Sequence, residues 1–431
     1  MTTPSLAPWP PPADYVPVES KLEGVTVFAP RPTAEMQDVP RTFQCPQCGA
    51  TTKYDVAAGG VACEYCGYTT PVAVQPVGER AEQFEFTLEA LSKGSRGWGV
   101  ARRELHCDTC GADIALAEGA LTATCPFCAS NKVNVREAAV DQLRPRALIP
   151  FKTQPADTKA RAREWLGKGW FHPPELANSA LIDHFTGVYL PFWLFNARLG
   201  SRWRAEVGYE RTESYYDSDD KTWKTRTVID WRWEDGANSI DVSNLAIPGT
   251  ARLSRLILDR LQPFDVNALT PYTPDFLAGW QAQSYDVNLP TAWEQGKDAM
   301  RGRAKEACHA QINSSHVRNF SLTADFADET WRYVLWPVYV TAYRFEDKVF
   351  QVMVNGQTGA VAGQKPVAWW KIWLAIAALL SPGLCLGLIS LPLLLAGGVG
   401  LIPLIFGGVL FALGAGAAFY LYRQAVNSEA A

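Results

Sequence analysis

CPQCGATTKYDVAAGGVACEYC, from Cys45 to Cys66, contains two Cys-x-x-Cys pairs separated by fourteen residues. The same cysteine spacing returns in CDTCGADIALAEGALTATCPFC, from Cys107 to Cys128. Two such pairs can place four thiolates around one tetrahedral metal ion. Glycine follows three of the four pairs and lets the backbone amides turn towards sulfur, while alanine follows the fourth. The spacing therefore predicts two zinc ribbons in tandem.

We predict two structural Zn²⁺ ions, with iron of the rubredoxin type as the chemical rival. All four coordination positions of each site are filled by cysteine, which leaves no position for a reacting water and is typical of structural sites. The start of the chain resembles no export signal, so we expect a reducing cytoplasm that favours metal over disulfides. The predicted ligands are Cys45, Cys48, Cys63, Cys66, Cys107, Cys110, Cys125 and Cys128.

Composition divides the first part of the chain. Nine prolines without hydrophobic periodicity fall in residues 1–40, which we interpret as a disordered tail. We assign residues 41–72 to the first ribbon, 73–103 to a linking element and 104–136 to the second ribbon.

Residues 146–364 predict an α+β domain rich in antiparallel sheet. The alternation in Trp203–Tyr209 and again in Thr225–Trp233, around a DSDDK turn, indicates a long hairpin. Helices are expected near Leu253–Leu261 and Pro290–Ser314. The tryptophans at alternating hairpin positions are interpreted as core, with a peptide-binding groove as the alternative.

The C-terminal region predicts a transmembrane helical hairpin within residues 368–422. No charged residue or histidine occurs from Ile372 to Tyr422. One helix of that length would reach about 75 Å, against about 30 Å of hydrocarbon, so the chain must cross twice. Lysines and an arginine flank the outer ends, which by the positive-inside rule places both ends in the cytoplasm of a bacterial inner membrane. Residues 423–431 are then a cytoplasmic tail.

No catalytic set emerges from the sequence, and we expect a protein that is not an enzyme. Cys308 and His309 are neighbours on a predicted helix and project about 100° apart. His309 and His316 share a helical face, but no carboxylate or cysteine completes a ligand set. A P-loop motif is also missing.

Charge argues against a nucleic-acid partner. The chain has a formal net charge of −4. Residues 41–136 contain nine basic and ten acidic side chains, without the basic cluster on which phosphate binding depends. We expect a protein partner and keep nucleic acid as the alternative.

Four further strings appear together: LIPFK, GVYLPFWLF, PFDVNALTPYTPDFLAGW and VFQVMVNGQTGAVAG. With paired ribbons before them and hydrophobic helices after, residues 41–425 resemble bacterial TFIIB-type zinc-ribbon membrane proteins, often labelled primosomal-protein-N′-like. The resemblance implies the eight zinc cysteines and no catalytic residue. Some members work with phage-shock and flotillin-type envelope-stress systems, which implies a scaffold that recruits a partner to the cytoplasmic face of the membrane.

Overall fold

The computed structural model describes residues 15–18, 27–30, 43–74, 76–78, 84–85, 103–116, 125–137, 143–178, 185–219, 221–261, 263–346, 348–395 and 400–430. The chain divides into a smaller unit, Met1–Thr42 with Gly99–Ala101, and a larger one, Phe43–Trp98 with Arg102–Ala431. In the smaller unit β1 (Tyr15–Val18) pairs antiparallel with β2 (Val27–Pro30). The rest of the tail assigned to residues 1–40 lies outside the described residues.

The larger unit contains fifteen described strands and five α-helices. The strands are β3 (Lys53–Asp55), β4 (Gly60–Ala62), β5 (Thr69–Pro71), β6 (Phe84–Glu85), β7 (Arg103–Cys107), β8 (Asp113–Leu116), β9 (Val133–Glu137), β10 (Ala147–Leu148), β11 (Thr186–Asp217), β12 (Thr222–Pro248), β13 (Thr270–Pro271), β14 (Gln281–Gln283), β15 (His316–Phe345), β16 (Lys348–Asn355) and β17 (Val361–Gly363). The helices are α1 (Pro155–Gly167), α2 (Arg255–Leu261), α3 (Leu289–His309), α4 (Trp369–Leu395) and α5 (Leu401–Ala430).

Two sheets organise these strands. Strands β3, β4 and β5 form a small antiparallel sheet, while twelve described strands, β6 to β17, join in one large sheet. Along its main path the order is β13-β10-β15-β11-β14-β8-β7-β9. Most pairs are antiparallel, and β10 with β15 and β11 with β14 are parallel. The predicted mixed α+β fold with antiparallel-rich sheet is confirmed.

Three long strands dominate the large sheet. β11 and β12 pair from Phe192↔Pro248 to Asp217↔Thr222, which is the hairpin that the alternating sequence predicts. β15 pairs with the other edge of β11 only as far as Gly208. The end of the β11–β12 hairpin is therefore two-stranded beyond that point, over about 30 Å of strand.

Helix α3 covers one face of the long strands. The Asn288 side chain caps it by accepting a hydrogen bond of 3.0 Å from the Thr291 amide, and Pro290 lies in its first turn. Cys308 on α3 packs with Trp203, Ala205 and Val207 in one hydrophobic cluster. The helix ends at His309, five residues before the predicted end.

The C-terminal helices form an antiparallel pair, as predicted. α4 has 27 residues and continues through Pro382 and Pro392. α5 has 30 residues and continues past Tyr422, so the residues assigned to a tail extend the helix. Close packing requires glycine at Gly414, where an added Cβ would overlap the backbone oxygen of Leu379. Both helices are long and apolar enough to span a membrane.

Candidate metal centres

All four Cys-x-x-Cys turns close through the same backbone hydrogen bonds. In the first, the Gly49 amide donates to the Cys45 carbonyl over 2.8 Å, and the Cys45 amide donates to the Ala50 carbonyl over 2.7 Å. In the fourth, the Ala129 amide donates to the Cys125 carbonyl over 2.9 Å. The repeated geometry places each pair of sulfur atoms on one side of its turn.

The residue after each pair adopts a left-handed backbone. Its φ is 73° at Gly49, 74° at Gly67 and 70° at Gly111. Ala129 adopts the same conformation with φ of 54°, although a Cβ makes it less favourable. The fourth turn therefore keeps its shape at a conformational cost that the other three avoid.

The eight predicted cysteines assemble into two sets of four, and the ligand atoms of each set lie within 4.8 Å of one another. In the first set, Cys45 and Cys66 have sulfur atoms 3.5 Å apart, and Cys48 and Cys63 are 3.6 Å apart. In the second set, the separations are 3.6 Å for Cys107 and Cys128 and 3.7 Å for Cys110 and Cys125.

These separations fit a tetrahedral thiolate site. Zn–S bonds of about 2.3 Å imply sulfur atoms about 3.8 Å apart along each edge of the tetrahedron. All ten cysteines of the chain are free thiols. Each set could therefore hold one metal ion with four cysteine ligands and no open coordination position.

One thiol in each set has a lowered pKa. A hydrogen bond from the Cys66 backbone amide is the main cause that lowers the pKa of Cys63 to about 7. The Cys125 thiol lowers the pKa of Cys110 to about 5. Because metals bind the thiolate form, these groups give each site a first ligand near neutral pH.

The first four-cysteine module, residues 43–74, contacts the rest of the larger unit around Tyr54, through both its side chain and its backbone. Tyr54 on β3 is 4% exposed, and its ring lies 5.3 Å from that of Phe276. The Tyr54 amide donates to the Ala278 carbonyl over 2.8 Å. Trp280 Nε1 donates to the Tyr54 carbonyl over 3.2 Å. Cys48 and Cys66 remain exposed.

The second four-cysteine module, residues 103–137, is part of the large sheet. Its strand β8 pairs with β14, so β7, β8 and β9 extend the sheet. Leu105, Ile114 and Phe127 are fully buried in the main hydrophobic core together with Cys107 and Cys125.

Two polar contacts add to this attachment of the second module. Ser284 Oγ donates to the buried Glu104 carboxylate over 2.6 Å. Gln351 Nε2 donates to the Phe127 carbonyl over 2.5 Å.

The residues weighed for catalysis are separated by the fold. Cys308 is buried where α3 packs on the long strands, and burial raises the pKa of its thiol. His309 stacks on Phe320 with ring centres 4.1 Å apart. The expectation that His309 shares a helical face with His316 is wrong, because α3 ends at His309 and His316 begins β15.

The interpretation of the hairpin tryptophans as core holds for Trp203 and is wrong for others. Trp223 is 73% exposed and Trp233 53% exposed. Trp233 lies on the face opposite to Trp203, where the Arg204 guanidinium covers its ring at 4.6 Å. Trp203 packs against α3, and alternation along a strand cannot reveal which face a helix covers.

The chain is 25% identical over 334 residues to the uncharacterized protein YdjG of Bacillus subtilis (strain 168), which covers 77% of this chain and 92% of the relative. No family model matches the chain. No solved structure matches it either.

Proposed function

We propose that this chain is a non-enzymatic scaffold of a bacterial inner membrane that recruits a protein partner to the cytoplasmic face. Its two four-cysteine modules hold structural zinc, and α4 and α5 anchor it in the bilayer. The observation that carries the proposal is the direct, hydrogen-bonded connection between a domain with two four-cysteine clusters and a pair of apolar helices. The resemblance to TFIIB-type zinc-ribbon membrane proteins supports the same role and suggests an envelope-stress system.

The exposed apolar side chains of α4 and α5 support a membrane anchor. Apolar side chains along α4 and α5 are turned outwards rather than packed in the core, including Leu388 (59% exposed), Ile402 (70%), Phe406 (66%) and Leu413 (67%). A soluble protein rarely exposes so large a continuous apolar surface. In a bilayer the same surface contacts acyl chains and needs no protein cover.

Several contacts fix the base of the helical pair to the domain. The Ala368 amide donates to the Phe171 carbonyl over 2.8 Å, just before α4. The Lys365 amide donates to the Ser428 carbonyl of α5 over 3.0 Å. Lys371 Nζ donates to the carbonyl of His172 over 3.0 Å. The domain and the apolar helices are therefore joined without a free linker at either end.

A protein partner fits the two-stranded end of the β11–β12 hairpin. Tyr216 and Trp223 lie there with ring centres 5.6 Å apart, and both are exposed. Aromatic side chains and arginines are enriched in the centres of protein interfaces. The nearby charges are balanced in pairs, such as Lys224 with Asp217 at 2.6 Å, which does not favour a polyanion.

The test is a pull-down from detergent-solubilised membranes with the full chain and with the double variant Tyr216→Ser, Trp223→Ser. A partner that co-purifies with the full chain and is lost with the double variant supports recruitment through the hairpin end. The control is Tyr65→Ser, which removes an exposed aromatic from the first four-cysteine module. Turnover of a substrate that disappears when one polar residue of the sheet domain is replaced would contradict the non-enzymatic assignment.

Nucleic acid is the competing partner and is tested directly. Filter binding with the full chain across salt concentrations would reveal tight binding that weakens steeply with salt if the chain used phosphate contacts. We expect weak binding with little salt dependence.

Topology has its own test. A reporter active only outside the cytoplasm, fused after Ala431, should be silent, and a cytoplasmic reporter at that position should be active. The opposite result would contradict the proposed cytoplasmic placement of the C-terminal end of α5.

A further inference from the structure

A cavity of about 520 Å³ lies where the base of α5 meets the sheet domain. Its volume falls within the roughly 300–1,000 Å³ of small-molecule sites. Side chains of α5, α1, α2 and the segment after β17 line it together. The contacts that fix Lys365 to Ser428 and Phe171 to Ala368 border the cavity, so its walls belong to one rigid junction.

The lining is cationic. It includes Arg260, Lys365 and Arg423, and no aspartate or glutamate. Among the residues that the structure describes, neither guanidinium has a carboxylate partner. Gln424 and Asn427 add amide groups that can donate or accept hydrogen bonds.

Lys365 is held in place by neutral groups. Its side chain is 7% exposed, and Nζ donates to the Lys168 carbonyl over 2.9 Å and to the Trp165 carbonyl. The ammonium also lies 4.1 Å from the centre of the Trp165 ring. Burial, together with the nearby charge of Lys168, lowers the pKa of Lys365 to about 8. An anion bound beside it would stabilise the charged form.

The cavity lies at the level where lipid headgroups would be. Tyr420 belongs to its lining, and two residues further along α5 the ring of Tyr422 lies 5.8 Å from that of Trp369 and 6.5 Å from that of Trp373. Tryptophan and tyrosine at the ends of apolar helices mark the membrane interface. α5 has a length of about 45 Å, which leaves its last turns, with Arg423 and Asn427, outside the hydrocarbon.

We propose that this cavity binds the phosphate headgroup of an anionic phospholipid of the leaflet in which the base of the helical pair lies. The inference rests on the proposed membrane anchor and adds a ligand class to it. Guanidinium groups recognise phosphate oxygens through paired, charge-assisted hydrogen bonds. Free phosphate offers the same chemistry, but only a lipid would also place its acyl chains along the exposed side of Phe419 and Tyr420.

The experiment uses the full chain in nanodiscs of phosphatidylcholine mixed with phosphatidylglycerol, followed by native mass spectrometry of the lipids that remain bound. We expect phosphatidylglycerol to be retained about tenfold over phosphatidylcholine, because both carry the phosphate but the cationic lining would repel the choline group of phosphatidylcholine. The variant Arg260→Gln, Arg423→Gln should lose this preference. The control Arg211→Gln, Arg303→Gln removes the same charge from exposed sites elsewhere and should retain it.

Unchanged preference in the Arg260→Gln, Arg423→Gln variant would overturn the proposal. Displacement of the lipid by inorganic phosphate at comparable concentration would assign the site to free phosphate and overturn the lipid ligand. If the variant does not fold, a phosphatidylglycerol with a photoreactive headgroup decides with the wild-type chain. Crosslinks within residues 420–428 support the site, and crosslinks only elsewhere contradict it.

A separate experiment tests whether α4 and α5 anchor the chain in the membrane. A chain that carbonate extraction releases from membranes would refute the proposed function before any lipid preference is measured. A chain that stays in the membrane without headgroup preference would refute only the cavity proposal.

Discussion

The two four-cysteine modules have the same cysteine spacing and the same turn geometry, yet they are attached to the protein differently. The first forms a separate three-stranded sheet that contacts its neighbours through Tyr54. The second contributes three strands to the large sheet and two cysteines to the main core. Cysteine spacing determines the metal site, while the residues between the cysteines determine how far the rest of the fold depends on it.

The intervening sequences explain the difference. The second module has Leu105 and Ile114 on buried positions of paired strands and Phe127 inside its last turn, and all three are fully buried. At about 25 cal/mol per Å² of apolar surface, each such side chain contributes about 1.5–3 kcal/mol. The first module offers one comparable side chain, Tyr54, so a metal ion bound by its cysteines would serve mainly to fold the module itself.

The largest expected effect comes from replacing one ligand in each module. Cys107→Ser should remove the metal and place a polar group in the main core, lowering the free energy of unfolding of the large sheet by about 4 kcal/mol or more. Cys45→Ser should unfold residues 43–74 and lower the stability of the large sheet by less than about 1 kcal/mol. Hydrogen exchange of β11 and β14 measures both.

Metal analysis is the control for this pair of variants. Each protein that accumulates should retain one metal ion, because every module supplies its own four ligands. If Cys107→Ser fails to accumulate while Cys45→Ser accumulates, this also supports a larger loss of stability in Cys107→Ser. Equal loss of exchange protection in the large sheet would contradict the different attachment of the modules.

A second variant addresses the contact between the first module and its neighbours. Tyr54→Ala should weaken that contact by about 3 kcal/mol, since it removes a buried aromatic side chain. The amide of Tyr54, which donates to Ala278, should lose its exchange protection while the metal stays bound. Tyr65→Ala is the matched control, because that ring is 82% exposed and should have no effect.

Metal should leave the first cysteine set faster than the second. Cys48 and Cys66 of the first set are exposed, whereas both corresponding residues of the second set, Cys110 and Cys128, are partly covered. We expect a chelator to remove metal in two phases that differ at least about tenfold in rate, equivalent to about 1.4 kcal/mol in barrier height. The fast phase should disappear in Cys45→Ser. A single phase of double amplitude in the wild-type chain would contradict the prediction.

The smallest effect concerns the turn that ends in alanine. Ala129→Gly relieves the cost of a left-handed Cβ and should stabilise the second module by about 0.5–1 kcal/mol. The reverse change, Gly67→Ala, should destabilise the first module by about 1 kcal/mol, because the added Cβ has open space but an unfavourable φ of 74°. Denaturant midpoints followed within each module measure both, and shifts of the same sign would refute the explanation.

Much of the fold and of the candidate metal sites could be predicted from local sequence signals. The cysteine spacing identified the eight cysteines that assemble into two clusters, the uncharged run identified α4 and α5, and alternation identified the β11–β12 hairpin. Each of these signals lies within one short stretch and depends on chemistry that nearby residues share. The cation-lined cavity has no such signal, since Arg260, Lys365 and Arg423 come from three distant segments.

Attachment of the second module to the large sheet was not predictable either. It depends on pairing between Asp113–Leu116 and Gln281–Gln283, more than 160 positions apart, and the tripeptide QAQ gives no strand pattern. The last turns of α5 look like a polar tail because Gln424, Asn427 and Glu429 follow Arg423. They remain helical because Ala425 is buried against the domain and Ser428 accepts from Lys365.

The backbone contacts on both sides of the apolar pair have a consequence for encounter rates. A flexible tether of n residues lets a domain explore a volume that grows with chain length, which dilutes its binding surface. Here the Ala368 amide is hydrogen-bonded to the Phe171 carbonyl and the Lys365 amide to the Ser428 carbonyl, which restrains the helical pair against the domain. In a bilayer, every copy would hold its exposed hairpin end at one height and one orientation. A partner confined to the same surface would then search in two dimensions, at a high effective concentration and with its rotational freedom already reduced.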